Sequence, residues 1–525
     1  MSVTLTNPSN DFNELTIPSN SVGAVSIKDK NSIVLKEITA SSFTLLAGLS
    51  GVGDISTDYA DGTITATSGS IDIATSNGSF SLGSGEGVSA TGGTVSIKAT
   101  ADLNLSGYYK SITSDAGGDA IKLATTGGVM YGNLKIEASG ANGRWLAYLG
   151  DPGGHTFPNG SDLYNDNSAY APVFKQYNVT TGTSVLGTGN GVLYNNSTPA
   201  KLTGSLTGAV SKVYDGGLSI GLAGATASAI SGGYIDGDTG GAASLSGAIG
   251  NLTDANVGSA KAVIANGLNL TGISGGNGIG TVYGYQTQFT GNIGAVTPVV
   301  VSTNVVGLSG NRFYDATNIV NASIFSMSGL VGGQTLTLSG SGTVADANAG
   351  VNKPVSLGTL TLGNGSGQAS NYTLSGGTHV ATIKPAPLTA ALTAGTTGLS
   401  KTYDGNTLAT LTSSNFALSG FLGADSASVI KTVGNYANKN VGNNMLISTT
   451  LAPTDFSALG STLLSNYSLP TGASGNIGTI KPASLTVSGL QAQNKVYDGN
   501  NLATLTGGVL SGVISGDVVT MGTLS

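Results

Sequence analysis

Cysteine is absent from all 525 residues, which excludes disulfides, thiolate nucleophiles and sulfur-ligated metal sites. A chain threaded across a bacterial outer membrane in an extended state has a physical reason for this, because a premature disulfide loop would jam it; export is the expectation. Charge is scarce too, at 9% Asp, Glu, Lys and Arg against about 25% in an average soluble domain. The net charge is −7 and the only arginines are Arg144 and Arg312. No basic stripe exists to neutralise phosphates, so nucleic acid is not an expected partner, and a polybasic membrane-surface patch is missing for the same reason. The mean hydropathy of +0.17 does not signal a membrane helix, since no run approaches about 18 uninterrupted apolar residues. Even Val296–Gly310 is broken by Thr297, Pro298, Ser302, Thr303 and Asn304. The opening Met1–Pro8 has neither a positive n-region nor an apolar h-region, so it is not a signal peptide.

What is present is small and apolar. Glycine occupies 83 positions and 39% of residues are hydrophobic, while proline stands at 13. Disordered chains are charged and poor in β-branched residues, and collagen requires glycine at every third position; neither fits. Short alternating apolar bursts between small-residue turns predict an all-β chain, long enough for roughly three to five domains.

From Met1 to about Gly143 apolar residues recur at i and i+2, as in Val25/Ile27, Ile71/Ile73, Phe80/Leu82, Val95/Ile97, Leu103/Leu105 and Ile121/Leu123. Such pairs are short strands with one face buried. Ile71 precedes Val95 by 24 residues, and Val95 precedes Ile121 by 26. That spacing suggests parallel β-helix rungs over 1–145, although a run of antiparallel hairpins would show the same periodicity and the choice of rungs rests partly on the resemblance given below. At about 4.8 Å per rung, roughly six rungs would stack to about 30 Å. Residues 146–205 change in texture, concentrating Tyr, Asn and Pro just after the only tryptophan, Trp145. This reads as a cap over the last rung, with Trp145, Tyr148, Tyr164 and Tyr177 as the candidates for an exposed binding surface.

From Lys201 an internal repeat appears. Its opening phrase is Lys212-Val213-Tyr214-Asp215-Gly216, then Arg312-Phe313-Tyr314-Asp315-Ala316, Lys401-Thr402-Tyr403-Asp404-Gly405 and Lys495-Val496-Tyr497-Asp498-Gly499. Closing phrases recur in the same order, among them Ala381-Thr382-Ile383-Lys384-Pro385 and Asn476-Ile477-Gly478-Thr479-Ile480-Lys481-Pro482. Modules over 206–300, 301–389 and 390–486 follow, with a partial one over 487–525 whose core is expected to be incomplete. At about 95 residues each, two packed antiparallel sheets per module are expected, strung as abutting beads in an elongated monomer. In the opening phrase the aspartate should accept the N–H two residues on, and the glycine should take φ > 0. Ala316 implies either a different turn or a negative φ. The tyrosine should pack beside the turn, at about 3 kcal/mol for truncating a buried ring such as Tyr403.

These phrases resemble the YDG repeat of bacterial large exoproteins in the filamentous-haemagglutinin-like family, over Lys201 to Ser525. Gly143-Arg144-Trp145-Leu146 and Phe174-Lys175-Gln176-Tyr177 are similar to the segment such proteins carry between β-helix and repeats, and Asn10-Asp11-Phe12 with the strands after it is similar to their rungs. The resemblance implies an adhesin at the Gram-negative cell surface, exported through an outer-membrane transporter barrel and binding a glycan or protein of a host or bacterial surface. It also implies an internal piece of a longer protein.

Residues suited to catalysis are few. His155 and His379 are the only histidines and fall in different expected domains, leaving carboxylates as the only acid–base or metal-ligating groups. Asp236-Gly237-Asp238 lacks the rest of a calcium loop and reads as a surface turn. Gly272-Ile273-Ser274-Gly275-Gly276 fits G-x-S-x-G, but about 1.6 chance matches follow from the glycine and serine content, and no strand-to-helix context surrounds it. Asp54, Asp58, Asp61, Asp72, Glu86, Asp102 and Asp115 share no rung offset, so no acid pair for glycoside chemistry is proposed. No enzyme activity, cofactor or metal is expected. An adhesive module and a passive stalk are the competing readings, and a β-helix polysaccharide-active enzyme is the third.

Overall fold

The computed structural model describes all residues except 19–21, 59–61, 84–86, 107–110, 133, 154, 156–170, 181, 197, 277, 302–307, 328–329, 397 and 523–525. Among the described residues the chain is all-β, with single turns of 3-10 helix and no α-helix. It divides into two compact units, Met1–Thr297 and Pro298–Ser525.

The first unit is built on two long parallel sheets. One runs through Val25–Lys28, Phe43–Ala47, Ile71–Thr75, Val95–Ala99, Asp119–Thr125 and Arg144–Leu149, each parallel to the next. The other includes Glu14–Ile17 beside Ile33–Ala40 and divides at the latter strand, whose first half pairs with Ile55–Thr57 and whose second half pairs with Ile64–Ala66. Two lanes then continue side by side, so each later coil contributes three short strands. The parallel stacking expected from the 24- and 26-residue spacing is what the registers show: Phe43, Ile71, Val95, Ile121 and Trp145 are successive Cα partners. All five are fully buried, as are Ile38, Ile64, Val88 and Ile112 in the second sheet. Period-two alternation sends these side chains inward and leaves Ser, Thr, Lys and Asp outside.

Glycine is abundant because the corners stack almost backbone on backbone. A Cβ on Gly53 would lie 2.1 Å from the Gly48 Cα, and one on Gly93 would lie 2.2 Å from the Gly69 carbonyl carbon. Corner hydroxyls satisfy the backbone within and between coils: Thr75 donates to the Gly78 carbonyl of its own corner at 2.7 Å, and the Gly78 N–H donates to Thr100 of the next coil at 2.8 Å.

After Arg144–Leu149 the first sheet adds Gly191–Tyr194, Phe174–Gln176 and then Thr281–Tyr283, all parallel. The last of these comes from the first repeat, and Leu202, Ile273 and Val282 join the same core as the coils. The first repeat is thus fused to the coils through a shared sheet and core, rather than strung after them as a separate bead.

The repeats differ from two packed antiparallel sheets. Each has one larger mixed sheet and small antiparallel ribbons. In the second repeat Leu308–Phe313 lies parallel to Val380–Lys384, and in the third Leu399–Thr402 lies parallel to Gly472–Lys481. In the first, both Lys201–Gly208 and Val210–Val213 run parallel to Gln286–Thr297. The strand leading into the opening phrase and the closing strand thus run towards the same end of a repeat, where the chain leaves it; in the third repeat Thr389–Leu392 precedes this pair. Beyond these repeats, Thr486–Ala492 and Leu505–Ser511 form an antiparallel hairpin with no buried residue.

Candidate functional site

The opening phrases form one recurring turn. The N–H groups of Gly217, Thr317, Asn406 and Asn500 donate to Asp215, Asp315, Asp404 and Asp498 at 2.8, 2.9, 3.2 and 3.2 Å. Gly216, Gly405 and Gly499 take φ of 77°, 81° and 80°. Ala316 keeps the same turn at φ 65°, so neither a different turn nor a negative φ accommodates it; the alanine is held in the left-handed region. A basic residue three positions before each aspartate closes the turn: Lys212, Arg312, Lys401 and Lys495 lie 2.6, 2.6, 2.7 and 2.8 Å from their partners. These cations also cross the loop, Lys401 donating to the Asn406 carbonyl at 2.8 Å and Lys495 to that of Asn500 at 2.9 Å. Lysine hydrogen bonds hold the carboxyls of Asp215, Asp404 and Asp498 below the usual carboxylate range. The cation stood in every phrase, but sequence reasoning gave it no role.

The tyrosine of the phrase sits at the repeat's exit. Tyr214, Tyr314 and Tyr403 donate their N–H groups to the carbonyls of Thr297, Lys384 and Lys481, the last residues of the closing strands, at 2.9, 2.8 and 2.8 Å. Tyr214 and Tyr314 are buried. Tyr403 is only half-buried, so truncating it removes less than the full-burial figure assumed from sequence. Tyr497 is 92% exposed.

The aromatic segment does not present the expected platform. Trp145 and Tyr177 are 0% and 1% exposed and lie in the coil core, which takes them out of any binding surface. Tyr164 lies outside the described residues. Tyr148 is half-buried and lines a cavity of about 420 Å³ with Thr126, Val179, Thr180, Leu193 and Asn195. A second cavity, of about 510 Å³, shares Thr126, Gly150 and Asn195 and adds Asp102, Asp151 and His155. His155 Nδ1 accepts the Met130 N–H at 2.9 Å. Asp102 accepts the Val129 N–H at 2.9 Å, and Asp54 that of Ser79 at 2.7 Å. These carboxylates tie one coil to the next.

The densest polar site was missed from sequence. Asp236-Gly237-Asp238 is not a surface turn: Asp238 is 2% exposed and Lys175 is fully buried. Lys175 Nζ lies 2.6 Å from Asp236 and 2.9 Å from Asp238. The hydroxyls of Tyr177 and Tyr285 both donate to Asp238 Oδ2, at 2.7 and 2.8 Å, and the Gly276 N–H donates to Oδ1 at 3.1 Å. Burial, reinforced by Asp238, pushes both phenols well above their usual range. Every charge is paired and hydrogen-bonded, the condition under which burial is tolerated. The only available signal was Lys175 with two carboxylates 61 and 63 residues later, which no local pattern joins. Ser274 of the G-x-S-x-G match ends the strand Asn269–Ser274 in an antiparallel ribbon, not a strand-to-helix elbow. Among the described residues no group of three or more His, Asp or Glu is placed to hold a metal ion.

No curated protein and no solved structure matches the chain. The model of the YDG domain matches residues 198–278, 297–379, 384–475 and 481–525, together more than half of the sequence. These segments carry the four Tyr-Asp turns just described, and the chain belongs to the YDG-domain family.

Proposed function

We propose that this chain is an exported bacterial surface adhesin or its shaft, of the filamentous-haemagglutinin-like kind, binding glycans or proteins of host or neighbouring cells by multivalent, non-catalytic contacts. On this reading the coils are a right-handed parallel β-helix and the repeats are small modules strung along the chain. The chain reaches the surface of a Gram-negative cell through an outer-membrane transporter barrel. The observation that carries the reading is the parallel pairing, in three repeats, of the strand leading into the opening phrase with the closing strand. A module that the chain always leaves at the same end can be repeated indefinitely along a line, and each copy adds another weak site that sums by effective concentration.

The cavities beside Tyr148 are the places where a glycan would be sought first. The burial of Trp145 and Tyr177 favours the second reading, a passive stalk or biofilm scaffold that projects an adhesive tip. Binding of the purified chain to host cells and immobilised glycans, measured as monomer and displayed on beads, separates the two. Weak monomer binding that rises strongly on beads is expected. No gain from display would support the stalk, and depolymerisation of a polysaccharide would support an enzyme and end the proposal.

A further inference from the structure

We propose that the opening-phrase tyrosines Tyr314 and Tyr403 are docking residues for the module that follows, and that the partner of each is the acidic residue closing a Gly-apolar-apolar-x-x-Asp turn there. The inference rests on one geometry that occurs at separate places in the fold and is independent of any adhesive role. In the second unit Tyr314, from the second repeat, donates its hydroxyl to Asp425 Oδ2 of the third at 3.1 Å. Tyr467 of the third repeat donates to the same oxygen at 2.7 Å and accepts the Leu422 N–H at 3.1 Å. The rings of Tyr314 and Phe421 meet that of Tyr467 edge-on, at 5.4 and 5.1 Å between centroids.

The first unit builds the same joint between the coils and the first repeat. Tyr177 and Tyr285 share Asp238 Oδ2. The Ile235 N–H donates to the Tyr285 hydroxyl at 3.0 Å, and the ring of Tyr234 lies edge-on to that of Tyr285 at 6.5 Å. Gly233-Tyr234-Ile235-Asp236-Gly237-Asp238 and Gly420-Phe421-Leu422-Gly423-Ala424-Asp425 thus match position by position. Upstream, Lys175-Gln176-Tyr177-Asn178 is the opening phrase with Asn in place of Asp. Further along the chain, Gly512-Val513-Ile514-Ser515-Gly516-Asp517 repeats the turn, and the Asp517 carboxylate raises the phenol of Tyr403 above its usual range.

The tyrosine is not what shapes its own turn. Tyr497 is 92% exposed, yet Asp498 still accepts the Asn500 N–H at 3.2 Å and Lys495 at 2.8 Å. The turn therefore forms without the ring being packed, and the ring is free to serve the neighbour.

Hydrogen exchange on the full chain tests this with Tyr314→Phe, which keeps the ring and removes the donor, and with Asp425→Asn, which keeps an acceptor. Exchange at 421–426, in the following module, should accelerate about tenfold or more, as expected for losing a hydrogen bond to a charged group. The Thr317 N–H of the tyrosine's own turn should stay protected, and the double variant should be no worse than the more affected single one. Loosening confined to 315–318, or effects of the two substitutions that add, would overturn the proposal.

Discussion

At the scale of single residues, the turn that names the family is held by three roles: aspartate as acceptor, a cation that closes the loop, and a residue tolerant of positive φ. Ala316 fills the third role at φ 65°, where an L-residue with a Cβ is roughly 1–2 kcal/mol strained. Ala316→Gly should therefore stabilise the second unit, by about 0.5–1 kcal/mol once the greater freedom of glycine in the unfolded chain is offset. Thermal unfolding of the variant measures this, and a fall in stability would show that the strain lies elsewhere. The aspartate bond was legible because an Asx turn is local, closing over two residues. The Lys175–Asp238 pair was not, because its partners are 63 residues apart and charge complementarity in a sequence carries no distance.

Among elements, the coils were the more legible part. Coils of nearly equal length place like residues in register, so the spacing of apolar pairs already contains the pairing Ile71–Val95–Ile121. The repeats hide theirs: strand direction leaves no trace in period-two alternation, and the parallel partners of Leu399–Thr402 lie 79 residues later. The tyrosine joints belong to this scale as well. Burial first, and then the bond to Asp425, pushes the Tyr467 hydroxyl up to about 12. A phenol in the unfolded chain ionises near a pH of roughly 10. The folded state thus keeps a proton that the unfolded state releases, so stability is intact below a pH of roughly 10 and falls as pH rises towards Tyr467's own value. Unfolding followed against pH should show this alkaline loss, and Tyr467→Phe should shrink it; an identical loss in that variant would place its origin in other groups.

At the scale of the whole molecule, coils and repeats share one principle: a unit that cannot finish its own core borrows from its neighbour. The first repeat gives Thr281–Tyr283 to the sheet of the coils, and Tyr467 of the third repeat shares a core with Tyr314, Ile383 and Leu388 of the second. Pulling on the chain ends then loads the parallel opening-phrase and closing strands of a repeat along their length, so that all their hydrogen bonds resist together rather than one at a time. Single-molecule extension of the full chain tests this shaft account most directly. The account predicts discrete rupture events for the YDG repeats, with forces lowered by Tyr314→Phe at the joint between the second and third. Smooth extension at low force without discrete events would contradict it.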